Sequence, residues 1–216
     1  MTIRVGIVDS GINSAHVHVG EVKGGVFIHS QGEDTDYIDR IGHGTAVSGA
    51  IREKAPRAEL YAVRIFERRL SATIGLVMRG LEWCLDHGMN VVNLSVGTGN
   101  EQHRPLFEDY LRRAAAKQVF VVSGAHMLPG SLRDAIPVAP DPSCERDTCR
   151  FEEGVFFASP YPRSIPGVPR ERNLNGVSFA IANCSGLLAQ LLESKPPGEA
   201  YQELRRIASS SNPFKR

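Results

Sequence analysis

The chain alternates short apolar runs with longer amphipathic stretches, and this pattern limits the fold more than any other feature. Residues 3–9, 59–65, 90–95 and 119–123 carry β-branched and apolar side chains at consecutive positions, as do the weaker runs 135–139 and 154–158. Consecutive apolar positions suit a strand covered on both faces, the usual state of a parallel sheet. Helical spacing appears at residues 44–53, 73–87, 105–116, 177–193 and 199–209. Alternation of this kind predicts an α/β fold in three layers, a mainly parallel sheet with helices on both faces. At 216 residues the chain has room for one sizeable domain, so the expected unit is 1–216. The proline-rich stretch 137–172 reads as loop around one or two strands, and the polar tail 209–216 is expected to fray.

Composition removes several classes of function. Lys and Arg number 25 against 24 Asp and Glu, a net charge of +1, which argues against a broad nucleic-acid footprint or binding to an acidic membrane. No apolar run approaches the roughly 20 residues of a spanning helix. The opening Met1-Thr2-Ile3-Arg4-Val5-Gly6-Ile7-Val8-Asp9 lacks the basic start, long apolar stretch and small-residue cleavage site of a secretory signal. The expected compartment is therefore the cytoplasm. Four cysteines, at 84, 144, 149 and 184, are too few for a disulfide scaffold. Cys144 and Cys149 could close a small loop or share a metal, but plain free thiols are the simpler expectation.

Three segments carry chemistry. In Ile7-Val8-Asp9-Ser10-Gly11-Ile12 a carboxylate ends a buried strand, where open α/β sheets bind their ligands. Taken alone, Asp9 is as readily a cap for the next element. In Gly42-His43-Gly44-Thr45-Ala46-Val47-Ser48-Gly49 an imidazole is bracketed by glycines at a helix start, which leaves space for a substrate backbone and permits an unusual turn. In Asn175-Gly176-Val177-Ser178-Phe179-Ala180 a serine opens a long apolar helix, whose free amides and positive end would stabilise an anion beside the hydroxyl. The plain alternative for Ser178 is an N-cap. A serine hydroxyl needs a base to become a nucleophile, and the base needs a carboxylate to hold its tautomer.

Asp, His and Ser in that chain order, each in a glycine-rich turn, resemble the subtilisin-like serine proteases. Asp9-Ser10-Gly11-Ile12, Gly42-His43-Gly44-Thr45 and Asn175-Gly176-Val177-Ser178-Phe179-Ala180 resemble the family's three motifs. Residues 55–64 and 91–97 resemble the segments between them, so the likeness runs from about residue 3 to 192. It implies that Ser178 attacks a peptide carbonyl, His43 takes and returns the proton, and Asp9 orients His43. It implies too that Ser95, Val96 and Gly97 pair with an extended peptide substrate by strand addition. No cofactor and no metal are implied. Asp34, Asp36 and Asp39 read as a solvated acidic turn in preference to a calcium loop.

The sequence also departs from the family. Its oxyanion Asn is missing from Val122-Ser123-Gly124-Ala125-His126; His126 falls at that position if one residue is deleted and Met127 if none is, and His126 is the candidate replacement. Val177 and Ala182 stand where the family has Thr and Pro. A weakened oxyanion site implies a slow, selective enzyme; an unrestrained protease would damage its own cell, so narrow specificity is expected, and removal of a leader from a precursor is one such role. The compact form resembles the small processing proteases of the kind that mature the γ-subunit of quinohemoprotein amine dehydrogenase. Two alternatives remain open at this level, a weakly catalytic peptide-binding module and a transpeptidase or cyclase using the same triad.

Overall fold

In a computed structural model of the protein, which describes residues 2–210, every strand joins one nine-stranded sheet. The strands are β1 (Arg4–Asp9), β2 (Gly24–His29), β3 (Gly32–Asp34), β4 (Glu59–Arg64), β5 (Val91–Leu94), β6 (Phe120–Gly124), β7 (Ile136–Pro140), β8 (Cys149–Glu152) and β9 (Val155–Ala158). Their spatial order is β3-β2-β4-β1-β5-β6-β7-β9-β8. Neighbours are parallel throughout except at the two ends, where β3 pairs with β2 and β8 with β9 antiparallel. The helices are α1 (His43–Lys54), α2 (Ile74–Asp86), α3 (Arg104–Ala116), α4 (Val177–Leu192) and α5 (Pro197–Ser210). The expected six strands and five helices are all present, with ends shifted by one or two residues. The tail was expected to fray, yet Ser209 and Ser210 belong to α5; residues 211–216 lie outside the described part.

The two faces of the sheet bury different residues, as a period of two requires. Val5 and Ile7 pack with Val47, Ile51, Phe179, Ile181 and Leu188 under α1 and α4. Val8 packs with Val63, Val77, Leu81, Leu94 and Phe107 under α2 and α3. Helix α4 carries Phe179, Ile181 and Leu188 fully or almost fully buried, each contributing about 1.5–3 kcal/mol. That packing fixes the start of α4 against the sheet, although Asn183, Ser185 and Gly186 are poor helix formers.

The centre of the sheet also sets where chemistry can occur. Strand β1 lies between β4 and β5 and is parallel to both. The chain reaches β4 after α1 on one side and crosses by α2 to β5 on the other. Strand order therefore reverses about β1, and the loops at its carboxyl end diverge to leave a crevice. Asp9 is the last residue of β1.

Candidate active site

Asp9 follows Val5 and Ile7 in the alternation of β1, so its side chain falls on the face covered by α1 and α4. It is fully buried. Its Oδ1 accepts the amide of Ser10 at 2.7 Å and meets Nδ1 of His43 at 2.7 Å. A carboxylate on Nδ1 makes that nitrogen the donor and leaves Nε2 as the free acceptor, the tautomer a general base requires. Oδ2 of Asp9 is buried without a hydrogen-bond partner.

His43 is the first residue of α1, and its side chain keeps 15 % of its surface exposed. Burial pushes the imidazole toward the neutral form. The bond to Asp9 and the charges of Asp9 and Asp39 outweigh that and leave its pKa above the ordinary 6.5. Gly44 explains the close approach. A Cβ there would stand 2.2 Å from the Gly11 carbonyl oxygen and 3.2 Å from Asp9 Oδ1. The space that a side chain would take is therefore filled by the Asp9 turn, not by substrate backbone, which corrects the sequence reading of that glycine.

Ser178 is the second residue of α4 and half-buried. The helix is preceded by Gly176 at φ 152°, a backbone region that favours glycine, and no side chain caps it. Ser178 is thus inside the first turn and does not act as the N-cap. Its amide belongs to the set that has no acceptor within the helix. The next residue, Phe179, places its ring 5.5 Å from the His43 ring, centroid to centroid. The structure therefore brings the start of α4 against the imidazole, while no direct hydrogen bond joins His43 to Ser178 among the described residues. Such bonds are often long before substrate binds.

The remaining candidates lie along the same edge of the sheet. Ser95, Val96 and Gly97 continue from β5, and the segment is tied off by reciprocal backbone bonds between Thr98 and Leu128 of 2.9 and 3.0 Å. Val96 lines a cavity with Ile74, Val77, His103 and Phe107, and a Cβ on Gly97 would stand 3.0 Å from both the Leu128 carbonyl oxygen and Met127 Cβ, a tight fit. His126 lies in an exposed turn two residues beyond β6, and none of the site's hydrogen bonds uses it. A Cβ on Gly124, the last residue of β6, would stand 3.6 Å from Val177, so the strand leading to that turn abuts the first turn of α4.

Several residues that sequence reasoning passed over support these. Asn93, fully buried in β5, takes a bond from Ser185 Oγ of α4 at 3.0 Å and gives one to Ser95 Oγ at 3.1 Å. Asn183 of α4 donates to the carbonyls of Ser159 and Tyr161 at 2.9 and 3.0 Å, and the Pro160 carbonyl between them accepts from Gly176 at 2.9 Å. Buried Asn in strand and helix interiors was the available signal, since such residues need satisfied partners. The acidic turn proved divided. Asp34 faces His29 and Asp36 faces Arg40, while Asp39 turns inward to Ser10, Ile41, Gly42 and Thr45. Asp39 is therefore not part of a solvated turn, because its carboxylate is consumed by local donors.

The subtilase family model matches residues 2–126, a span that holds Asp9 and His43 and ends before Ser178. Subtilisin E of Bacillus subtilis is 34% identical over 97% of this chain and 60% of its own length. Subtilisin of Bacillus pumilus is 33% identical over 97% of this chain and 83% of its own length. Subtilisin DY of Bacillus licheniformis is 26% identical over 97% of this chain and 83% of its own.

Proposed function

Because the chain belongs to the subtilase family and is a subtilisin-like serine endopeptidase, we propose that Asp9, His43 and Ser178 form its catalytic triad. Ser178 Oγ attacks the peptide carbonyl, and Nε2 of His43 takes the hydroxyl proton. The imidazolium so formed is stabilised by Asp9 and returns the proton to the leaving amine. Water then resolves the acyl-enzyme by the same route in reverse. The observation that carries this reading is the 2.7 Å bond from the buried Asp9 to Nδ1 of His43, with the serine helix packed on the ring. The backbone amide of Ser178 and the imidazole of His126 are assigned to the developing oxyanion.

Ser95, Val96 and Gly97 are assigned to an extended peptide substrate, with alternate side chains entering the cavity beside Val96. Loss of the family's oxyanion Asn favours a selective processing enzyme that removes a leader from a precursor, acting as one peptidase domain. The precursor of a quinohemoprotein amine dehydrogenase γ-subunit is the narrowest substrate consistent with the sequence. A reducing, cytoplasmic setting is consistent with four buried, unpaired cysteines. Burial pushes the thiols of Cys144 and Cys149 up to about 11 and about 12, so neither is poised to react.

The test is labelling with a fluorophosphonate followed by peptide mapping. An adduct on Ser178 that requires His43 is expected. A folded protein with no adduct would sink the triad and favour a peptide clamp. Incubation with a leader-bearing precursor, read by mass spectrometry, checks the narrower claim. A single cut supports processing, a joined product identifies transpeptidation, and an uncut chain rejects that precursor.

A further inference from the structure

Asp39 lies in the loop between β3 and α1, four residues before His43. Its Oδ1 accepts Ser10 Oγ at 2.9 Å, the Ile41 amide at 2.9 Å and the Gly42 amide at 2.8 Å. Its Oδ2 accepts the Thr45 amide at 2.9 Å and Thr45 Oγ1 at 2.6 Å. Two of these partners pass the contact onward. Ser10 Oγ accepts the Gly44 amide at 2.9 Å, and Thr45 Oγ1 accepts the Asn13 amide at 3.1 Å. The amides on both sides of His43 therefore end on one carboxylate, either directly or through a single hydroxyl. The same Ser10 donates its amide to Asp9.

We infer that Asp39 is a positioning residue for the general base: it clamps both flanks of His43 and, through Ser10, the turn that carries Asp9. An ionised carboxylate has about four lone-pair sites, and five donors saturate them. Protonation would leave donors unmatched, so the charge is retained. The donors outweigh the effect of burial and hold the Asp39 carboxyl below the usual carboxylate range. That charge also acts on His43, because Asp39 is the second acid, after Asp9, that favours the imidazolium. The cleft beside Asp39 is lined further by His16, His18 and Arg163, cationic or neutral groups that do not bond to its carboxylate. A loop scaffold made of neutral bonds would position His43 equally well without touching its titration. The distinguishing feature of Asp39 is that it does both.

This inference rests on His43 being the general base. The experiment measures the His43 imidazole titration by NMR in the inactive Ser178→Ala protein, and the pH dependence of kcat/KM in otherwise wild-type protein. Asp39→Asn is expected to move the imidazole titration and the acidic limb of the rate profile to lower pH. It should also reduce kcat on the order of 10²-fold, the scale of a misplacement of about 1 Å. Asp39→Glu restores the charge and should return the titration toward that of the parent. Thr45→Val removes one donor but keeps the charge, so kcat should fall less and the titration should stay in place. A folded Asp39→Asn protein with an unmoved titration overturns the inference, whether or not kcat falls, since a scaffold defect alone would give that result. Should Asp39→Asn fail to fold, Ser10→Ala cuts the bridge and spares the carboxylate, and an unchanged kcat would overturn the inference. A wild-type protein with no acidic limb and no fluorophosphonate adduct sinks the triad itself. A limb that is present but indifferent to Asp39 sinks only the role of Asp39.

Discussion

The two halves of the site differ in how far the fold completes them. On the acid–base side, Asp9, Ser10, Asp39 and His43 are joined by bonds of 2.7 to 2.9 Å in a mostly buried network. On the acyl side, Ser178 is half-buried without a bond to His43, and His126 stands exposed in a turn. The difference follows from what each half binds. The Asp9–His43 bond and the bonds of Asp39 join protein groups alone, so the fold can form them in advance. In the proposed reaction the oxyanion and the extended peptide are supplied by substrate, and the side chains of Ser178 and His126 form no hydrogen bond among the described residues. A preassembled base beside an open acyl site is what differential binding of the transition state requires.

This contrast can be broken most severely at Ser178. Ser178→Ala should lower kcat on the order of 10⁶-fold, a scale set by subtilisin itself, and leave the fold and peptide affinity intact. Peptide cleavage and circular dichroism measured together check this, and turnover surviving in the variant would place the nucleophile elsewhere. Asp9→Asn should cost about 10⁴-fold, because the amide can donate to Nδ1 and stabilise the wrong tautomer. A loss of tenfold or less in steady-state assays would show that the buried bond does not govern the base.

Smaller effects separate the halves further. His126→Ala should reduce turnover by about 10²–10³ with no change in melting temperature, since the residue is exposed; that magnitude also comes from subtilisin. Unaltered turnover on the true substrate would remove His126 from the oxyanion role. Gly44→Ala should destabilise the protein by about 1–3 kcal/mol, because the new methyl meets the Gly11 carbonyl at 2.2 Å and must displace backbone. Urea unfolding measures this, and an unchanged midpoint would show that the α1 start can slide away from Asp9.

The mildest test is pH. In the proposed triad the neutral imidazole of His43 is the active form, and its folded pKa lies above the ordinary 6.5. Activity should therefore rise with pH along a limb displaced to the alkaline side of that value. The same shift makes protonated His43 a stabilising group. Its contribution is complete below the unfolded pKa and is lost as pH rises through the folded one, so stability from this source falls as activity grows. A rate profile centred below 6.5 would contradict the Asp9 and Asp39 interactions.

How much was legible can be judged element by element. Strands β1, β4, β5 and β6 stood out because both of their faces are covered, which forces unbroken apolar runs. Strand β2 did not, because it opens with two glycines, and Gly25 lies so close to β4 that a Cβ would meet the Ala62 carbonyl oxygen at 2.3 Å. Strands β3 and β8 are short antiparallel edges carrying charged residues, which match a loop as well as a strand. Asp9, His43 and Ser178 were marked by the turns around them. Asn93 and Asn183 were not, since their partners come from residues up to 92 positions away, and the inward turn of Asp39 was not, since it depends on Ser10, 29 positions earlier.

The sequence by itself determined the alternating architecture and the chain order of acid, imidazole and hydroxyl. These are properties of local spacing and residue type. Only the tertiary structure decided that Asp9 meets Nδ1 of His43, that Ser178 is not a cap, that the space at Gly44 is taken by backbone, and that Asp39 faces inward. The physical reason is that hydrogen-bond direction and burial depend on which segments the sheet order brings together, and neither is encoded in the neighbours along the chain.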